Sequence, residues 1–165
     1  GLGLLLWVKS VYGDDAPRVW KALAPKILTV TKGWWEAYSM FLKGEADMVL
    51  SYTTSPAYHV VAESKTNYAA AAFGEGHYMQ IEVAGKLRAA PNPELADKFM
   101  NFILTDGFQS AIPTGNWMFP ATGGVDMPAA FNDLVRPSKN LLMSADVVRA
   151  NRKAWTREWL NSMAR

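Results

Sequence analysis

Between Thr31 and His59 the apolar positions change period. From Trp34 to Leu42 they fall at Trp34, Ala37, Tyr38, Phe41 and Leu42, one stripe of a helix, with Glu36, Lys43 and Glu45 off it. Gly44 follows the last periodic residue and suits the left-handed position that closes a helix, while Lys43 in the last turn meets the negative end of the helix dipole. Met48 to Tyr52 is then a short apolar run with a β-branched residue, expected as a buried strand. Its exit, SYTTSPAY, replaces aliphatics with hydroxyls, a proline and two tyrosines. In open α/β sheets ligands bind at that end of the strands.

Elsewhere the pattern predicts further elements. LLLWV belongs to a first helix that breaks at Gly13-Asp14-Asp15, and Asp15 is expected to cap a second helix with Pro17 in its first turn and Val19, Trp20, Leu23 and Ala24 on its buried face. Ile27 to Val30 reads as a short β-branched strand, so the order through Tyr52 points to parallel βαβ wiring. Pro56 to Ser64 forms a short helix, and His77 to Ala89 alternates in the manner of a half-exposed strand or hairpin. Asn92 caps a helix with Pro93 at its first position and Leu95, Phe99, Phe102 and Ile103 as its core stripe. Thr105-Asp106 starts a short helix that Pro113 ends, and Ser144 caps a terminal helix with Trp155 and Trp159 broadly along one side.

Composition narrows the class. With 165 residues, half of them apolar, the chain can bury one substantial core or two small lobes. Its 17 basic and 15 acidic residues leave a formal charge of +2 with no basic block, so there is no electrostatic footprint for nucleic acid. The longest apolar run, Leu4 to Val8, is far short of the roughly 20 residues that span a bilayer. The absence of cysteine removes disulfides and thiolate chemistry. The sequence opens at Gly1 with neither an initiator methionine nor a signal peptide, the appearance of a piece of a longer protein.

The usual catalytic constellations are thin. His59 and His77 are the two histidines and lack metal-ligand spacing, which favours solvated or hydrogen-bonded structural roles. Ser51, Ser55 and Ser110 have no glycine elbow, and Glu45 and Asp47 read as solvated turn charges. What stands out is aromatic residues at loop-like positions: Trp34 at a helix start, Tyr52 and Tyr58 at a strand exit, and Trp117 within IPTGNWMFPAT, which is too rich in proline and glycine for regular helix. Aromatics placed on loops by a rigid scaffold hold flat or cationic small ligands by stacking and cation–π attraction; the plainer reading is that each plugs a core gap. A helix starting at Gly1, with Gly3 behind it, would present free amides to an anion, although Gly-x-Gly alone more often marks a turn.

The stretches GLGLLLW, KSVYGDDAP, TVTKGW, FLKGEADMVLSYTTSPAYH, NYAAA with EGHY, and AIPTGNWMFP together resemble the thiamine-binding periplasmic proteins of bacterial ABC importers, over essentially the whole chain. The GEAD turn and ELADKFMNFILTDGFQ belong more widely to two-lobed solute-binding proteins. The resemblance implies an α/β, periplasmic-binding-protein-like (type 2) two-lobed fold, here a fragment lacking most of the first lobe. It implies that Trp34, Tyr52, Tyr58 and Trp117 line a thiamine site; the residues themselves, through the open amides at Gly1 and Gly3 and the Trp34 indole N–H, place an expected phosphate end at Gly1 and Trp34. The expected function is periplasmic capture of thiamine, thiamine monophosphate or thiamine diphosphate for a membrane permease of the ABC type, without catalysis, metal or cofactor. Two alternatives remain. A ferric-ion receptor of the same fold needs converging oxygen ligands, commonly adjacent tyrosines, and Tyr52 and Tyr58 are not adjacent. A thiamine-cleaving enzyme needs a nucleophile such as cysteine, which would lie outside this sequence. The expected wiring puts residues 1–66 in the second lobe and 67–111 across into the first; 112–165 form a cleft loop and terminal helices that return.

Overall fold

The computed structural model describes residues 1–163. The chain forms two compact units. One comprises Gly1–Ser51, Phe73–Gln80 and the chain from Pro137 onward; the other comprises Tyr52–Ala72 and Ile81–Arg136. By close contact, residues 52–66 group with 81–136.

In the first unit, α1 (Leu2–Tyr12) and α2 (Ala16–Leu23) pack with the long terminal helix, labelled α8 (Ala145–Met163). Leu5, Val8, Ala16 and Trp20 form the buried centre, and Trp7, Tyr12, Trp155 and Trp159 close around it. Lys9 is buried with them, and two contacts offset the desolvation of its charge: Nζ lies 3.2 Å from Glu158 Oε2 and 5.6 Å from the centre of the Trp155 ring. A 3₁₀ turn, Gly13–Asp15, joins α1 to α2; Asp15 occupies the cap position without a capping side-chain bond. α3 (Trp34–Leu42) ends as expected at Lys43, with Gly44 at φ 75°. Ser144 Oγ accepts the Val147 N–H at the start of α8, at 3.4 Å.

The strands differ from expectation. Among the described residues the sheet consists of β1 (His77–Tyr78) and β2 (Asn140–Leu141), paired in parallel. Gly76 precedes β1 at φ 102°, where a Cβ would sit 2.8 Å from the Lys139 carbonyl oxygen, so only glycine permits this approach. His77–Ala89 is therefore neither a long strand nor a hairpin. Ile27–Val30 and Met48–Tyr52 are not strands: an extended backbone becomes a strand only within a ladder, and the described ladder pairs His77 and Tyr78 with Asn140 and Leu141. Their side chains are correspondingly bare: Met48 is 84% exposed, and Leu28, Val30 and Leu50 are also exposed.

The second unit carries α4 (Ser55–Glu63), α5 (Pro93–Phe102) and two one-turn helices, α6 (Asp106–Gln109) and α7 (Ile112–Gly115). Its core is Ala57, Phe131 and Leu134, with Trp117, Phe119, Met127 and Ala130 packed around them. Pro113 opens α7 in its first turn instead of ending a helix, since a proline there forgoes an N–H that has no partner anyway. α5 is capped as expected, Asn92 Oδ1 accepting the Leu95 N–H at 3.0 Å. Its apolar stripe is not core, however: Leu95, Phe99 and Phe102 are exposed, and no α5 residue is buried. Sequence periodicity identifies the apolar face of a helix but not whether a neighbour covers it. Asn92→Ala is expected to lower unfolding free energy by about 1 kcal/mol, whereas Asn92→Asp leaves it nearly unchanged. Urea unfolding of the two variants provides the check.

Candidate ligand-binding site

The aromatic candidates divide between the units. Trp34 is the first residue of α3 in the first unit; Tyr52, Tyr58 and Trp117 belong to the second. Gly33 enters α3 in an extended conformation, and the Trp34 ring stacks on Tyr38 with centroids 4.7 Å apart. Tyr38 is buried, whereas Trp34 is 46% exposed, so the helix supports one face of the indole while much of it meets solvent. Gly1 is the exposed residue before α1, and a Cβ at Gly1 or Gly3 would meet nothing within 4 Å.

The second unit opens with YTTSPAYH, which folds into a turn that leads into α4. The Tyr52 carbonyl accepts the Ser55 N–H at 3.1 Å, the Thr54 carbonyl accepts the Ala57 N–H at 3.0 Å, and Pro56 lies in the first helical turn. The turn leaves Tyr52 exposed, while α4 sends Ala57 and His59 inward and leaves Tyr58 half-buried between them. Trp117 follows α7, and its ring meets Tyr58 edge to face, with centroids 5.2 Å apart and planes at 80°. Its φ of 55° is left-handed. For so bulky a residue this conformation costs on the order of 1–3 kcal/mol, strain that concentrates at functional positions. Neighbouring contacts hold the segment: Thr54 Oγ1 reaches Met118 Sδ at 3.8 Å, Phe119 packs edge-on against Phe131, and the Arg136 guanidinium sits 4.2 Å from the centre of the Phe119 ring.

His59, expected as a structural histidine, is fully buried; its ring stacks on Tyr68 with centroids 3.9 Å apart, and Nδ1 lies 2.8 Å from Glu63 Oε2. An ionised carboxylate only accepts, so this bond places the Nδ1 proton on His59. Lys65 Nζ approaches the same oxygen at 3.1 Å. The hydrogen bond from His59, then that from Lys65, hold the Glu63 carboxyl below its ordinary range; Glu63 in turn raises the Lys65 ammonium above its own. The i,i+4 spacing of His59 and Glu63 was the available sequence signal for this pair. Thr54, Tyr68 and Gln109, which also brace this region, carried none.

The structure thus brings two expected site residues, Tyr58 and Trp117, into direct contact and leaves Trp34 and Tyr52 with exposed rings. Among the described residues no group of three or more His, Cys, Asp or Glu side chains is placed to hold a metal ion. Two half-buried rings at right angles offer both a face and an edge, an arrangement suited to a flat, electron-poor ligand.

Comparison with known proteins agrees with this architecture. The family model for bacterial extracellular solute-binding proteins matches residues 7–110. The thiamine-binding periplasmic protein of Escherichia coli (strain K12) is 57% identical across the whole chain, which covers 50% of that protein. Its counterpart in Brucella melitensis biotype 1 is 52% identical, again over the whole chain and 50% of the relative. A solved structure described as a periplasmic thiamin binding protein superposes with a TM-score of 0.96 at 57% identity, over 100% of this chain and 52% of that one. The chain therefore spans about half the length of the curated relatives it matches, and its fold is the α/β two-lobed solute-binding type over that span. Through these matches, the chain belongs to the family of bacterial extracellular solute-binding proteins.

Proposed function

We propose that this chain supplies much of the ligand-holding wall of a periplasmic receptor that captures thiamine and its phosphates and delivers them to an ABC-type membrane permease. The observation that carries this reading is the Tyr58–Trp117 pair, half-buried and in contact, with Trp117 held in a left-handed backbone. Thiamine bears a cationic thiazolium ring, and aromatic faces attract such a cation more strongly once water is excluded. Tyr52 and Trp34 add exposed rings of the same chemistry; Trp34 and the amides following Gly1 are assigned to the phosphate end of phosphorylated ligands. The function is capture, not turnover, and requires no cofactor. The lobe assignment of residues 1–66, 67–111 and 112–165 is kept as part of this reading. It excludes direct packing of α5 on α3 in the full-length protein.

The test is calorimetric titration of the full-length protein with thiamine, its monophosphate and its diphosphate, followed by chromatography of the recovered ligand. Saturable binding with intact thiamine returned supports the receptor. Absence of saturable binding defeats it, and recovery of separated pyrimidine and thiazole products would assign a thiamine-cleaving enzyme instead.

A further inference from the structure

Gln109 plays no part in the ligand contacts above, yet it is a buried polar side chain that makes two hydrogen bonds in opposite directions. Its Nε2 donates to the Ile103 carbonyl at 2.6 Å, and its Oε1 accepts the Ala121 N–H at 2.7 Å. Ile103 closes α5, while Ala121 lies four residues beyond Trp117 in the irregular segment after α7. The side-chain amide therefore bridges the end of α5 to the backbone of the segment that presents Trp117. Thr54, Phe131 and Arg136 touch the side chains of Met118 and Phe119; Gln109 bonds the main chain itself. A bulky residue keeps a left-handed φ only where its surroundings over-determine it. A planar amide fixed at both ends is such a constraint, and no apolar residue can replace it, because the Ala121 N–H and Ile103 carbonyl would lose their partner.

We infer that Gln109 is a positioning residue for ligand binding, fixing the segment after α7 so that Trp117 meets Tyr58 and the ligand in one orientation. This rests on the reading of Trp117 as a ligand-stacking residue. The inference is tested by a double-mutant cycle in the full-length protein, with Gln109→Met, Trp117→Ala and their combination, reading thiamine affinity and the thermal midpoint. Gln109→Met is expected to weaken thiamine binding on the order of fivefold. In the Trp117→Ala background it should change affinity by less than about twofold while lowering the midpoint as before, because contacting or coupled residues do not add. A merely structural glutamine gives the opposite pattern: the same loss of affinity in both backgrounds, or none in either, overturns the inference. If Gln109→Met does not fold, Gln109→Glu takes its place, since it keeps an acceptor for Ala121. A loss seen only with Trp117 present then supports positioning, because the carboxylate no longer donates to the Ile103 carbonyl; unchanged affinity, or a loss common to both backgrounds, overturns it. If Trp117→Ala alone leaves affinity unchanged, the ligand-stacking reading fails first and Gln109 with it. A parent protein that does not bind thiamine defeats the receptor itself.

Discussion

Trp117→Ala in the full-length protein is expected to weaken thiamine binding tenfold or more, and Tyr58→Ala to do the same. A well-placed ring against a cation contributes about 0.5–2 kcal/mol depending on desolvation, and 1.4 kcal/mol is a decade in affinity. The two rings stand in edge-to-face contact at 5.2 Å, so removing either also frees the other from the orientation their contact imposes. Such a pair is worth about 0.5–1.5 kcal/mol beyond the area it buries. Alanine at position 117 inherits the left-handed backbone without the ring that the segment was built to present, so stability must be followed alongside affinity. Thermal unfolding provides that control. Titrations that superpose on the parent's for both variants, with unfolding transitions intact, would remove the aromatic cage from the site.

The second large effect concerns the phosphate end. Trp34→Phe keeps most of the apolar ring and its stack on Tyr38 but deletes the indole donor. A hydrogen bond to a charged group contributes about 1.5–3 kcal/mol, so the ratio of affinities for thiamine monophosphate and thiamine should fall on the order of tenfold or more. Thiamine itself should lose little. The competing explanation, that Trp34 serves only to pack α3, predicts reduced stability and an equal loss for both ligands. Its 46% exposure weighs against a purely core role. A ratio that does not move would leave Trp34 as a stacking residue.

The helices were legible because their signals are local. Gly44 closing α3, Asn92 capping α5 and Ser144 capping α8 each depend on residues within one or two turns. The strands were not, because Ile27–Val30 and Met48–Tyr52 have the composition of strands, whereas a strand also needs a ladder with another segment, which composition does not specify. The stripe of α5 failed for a related reason: Leu95, Phe99 and Phe102 define a face without defining what lies against it. At the candidate site, residue type and loop context singled out Tyr58 and Trp117, whose partnership across distant segments appears only in the structure. Nothing in NWMFP announces a left-handed tryptophan, since local sterics disfavour it and only the fold sustains it. Gln109 was likewise silent, as an isolated glutamine has no periodicity to reveal its two partners.

The bare extended segments have a practical consequence for handling the molecule. Leu28, Val30, Met48 and Leu50 are exposed aliphatic side chains on stretches outside helix and strand, and Val83, 88% exposed, lies on another. Exposed aliphatic side chains gathered on such stretches favour association with other chains. A polypeptide of this span produced by itself should therefore collect in inclusion bodies or run as large species on gel filtration at micromolar concentration. Its soluble yield should improve when lysines are placed at Met48 and Val30, well away from Tyr58 and Trp117 in the chain.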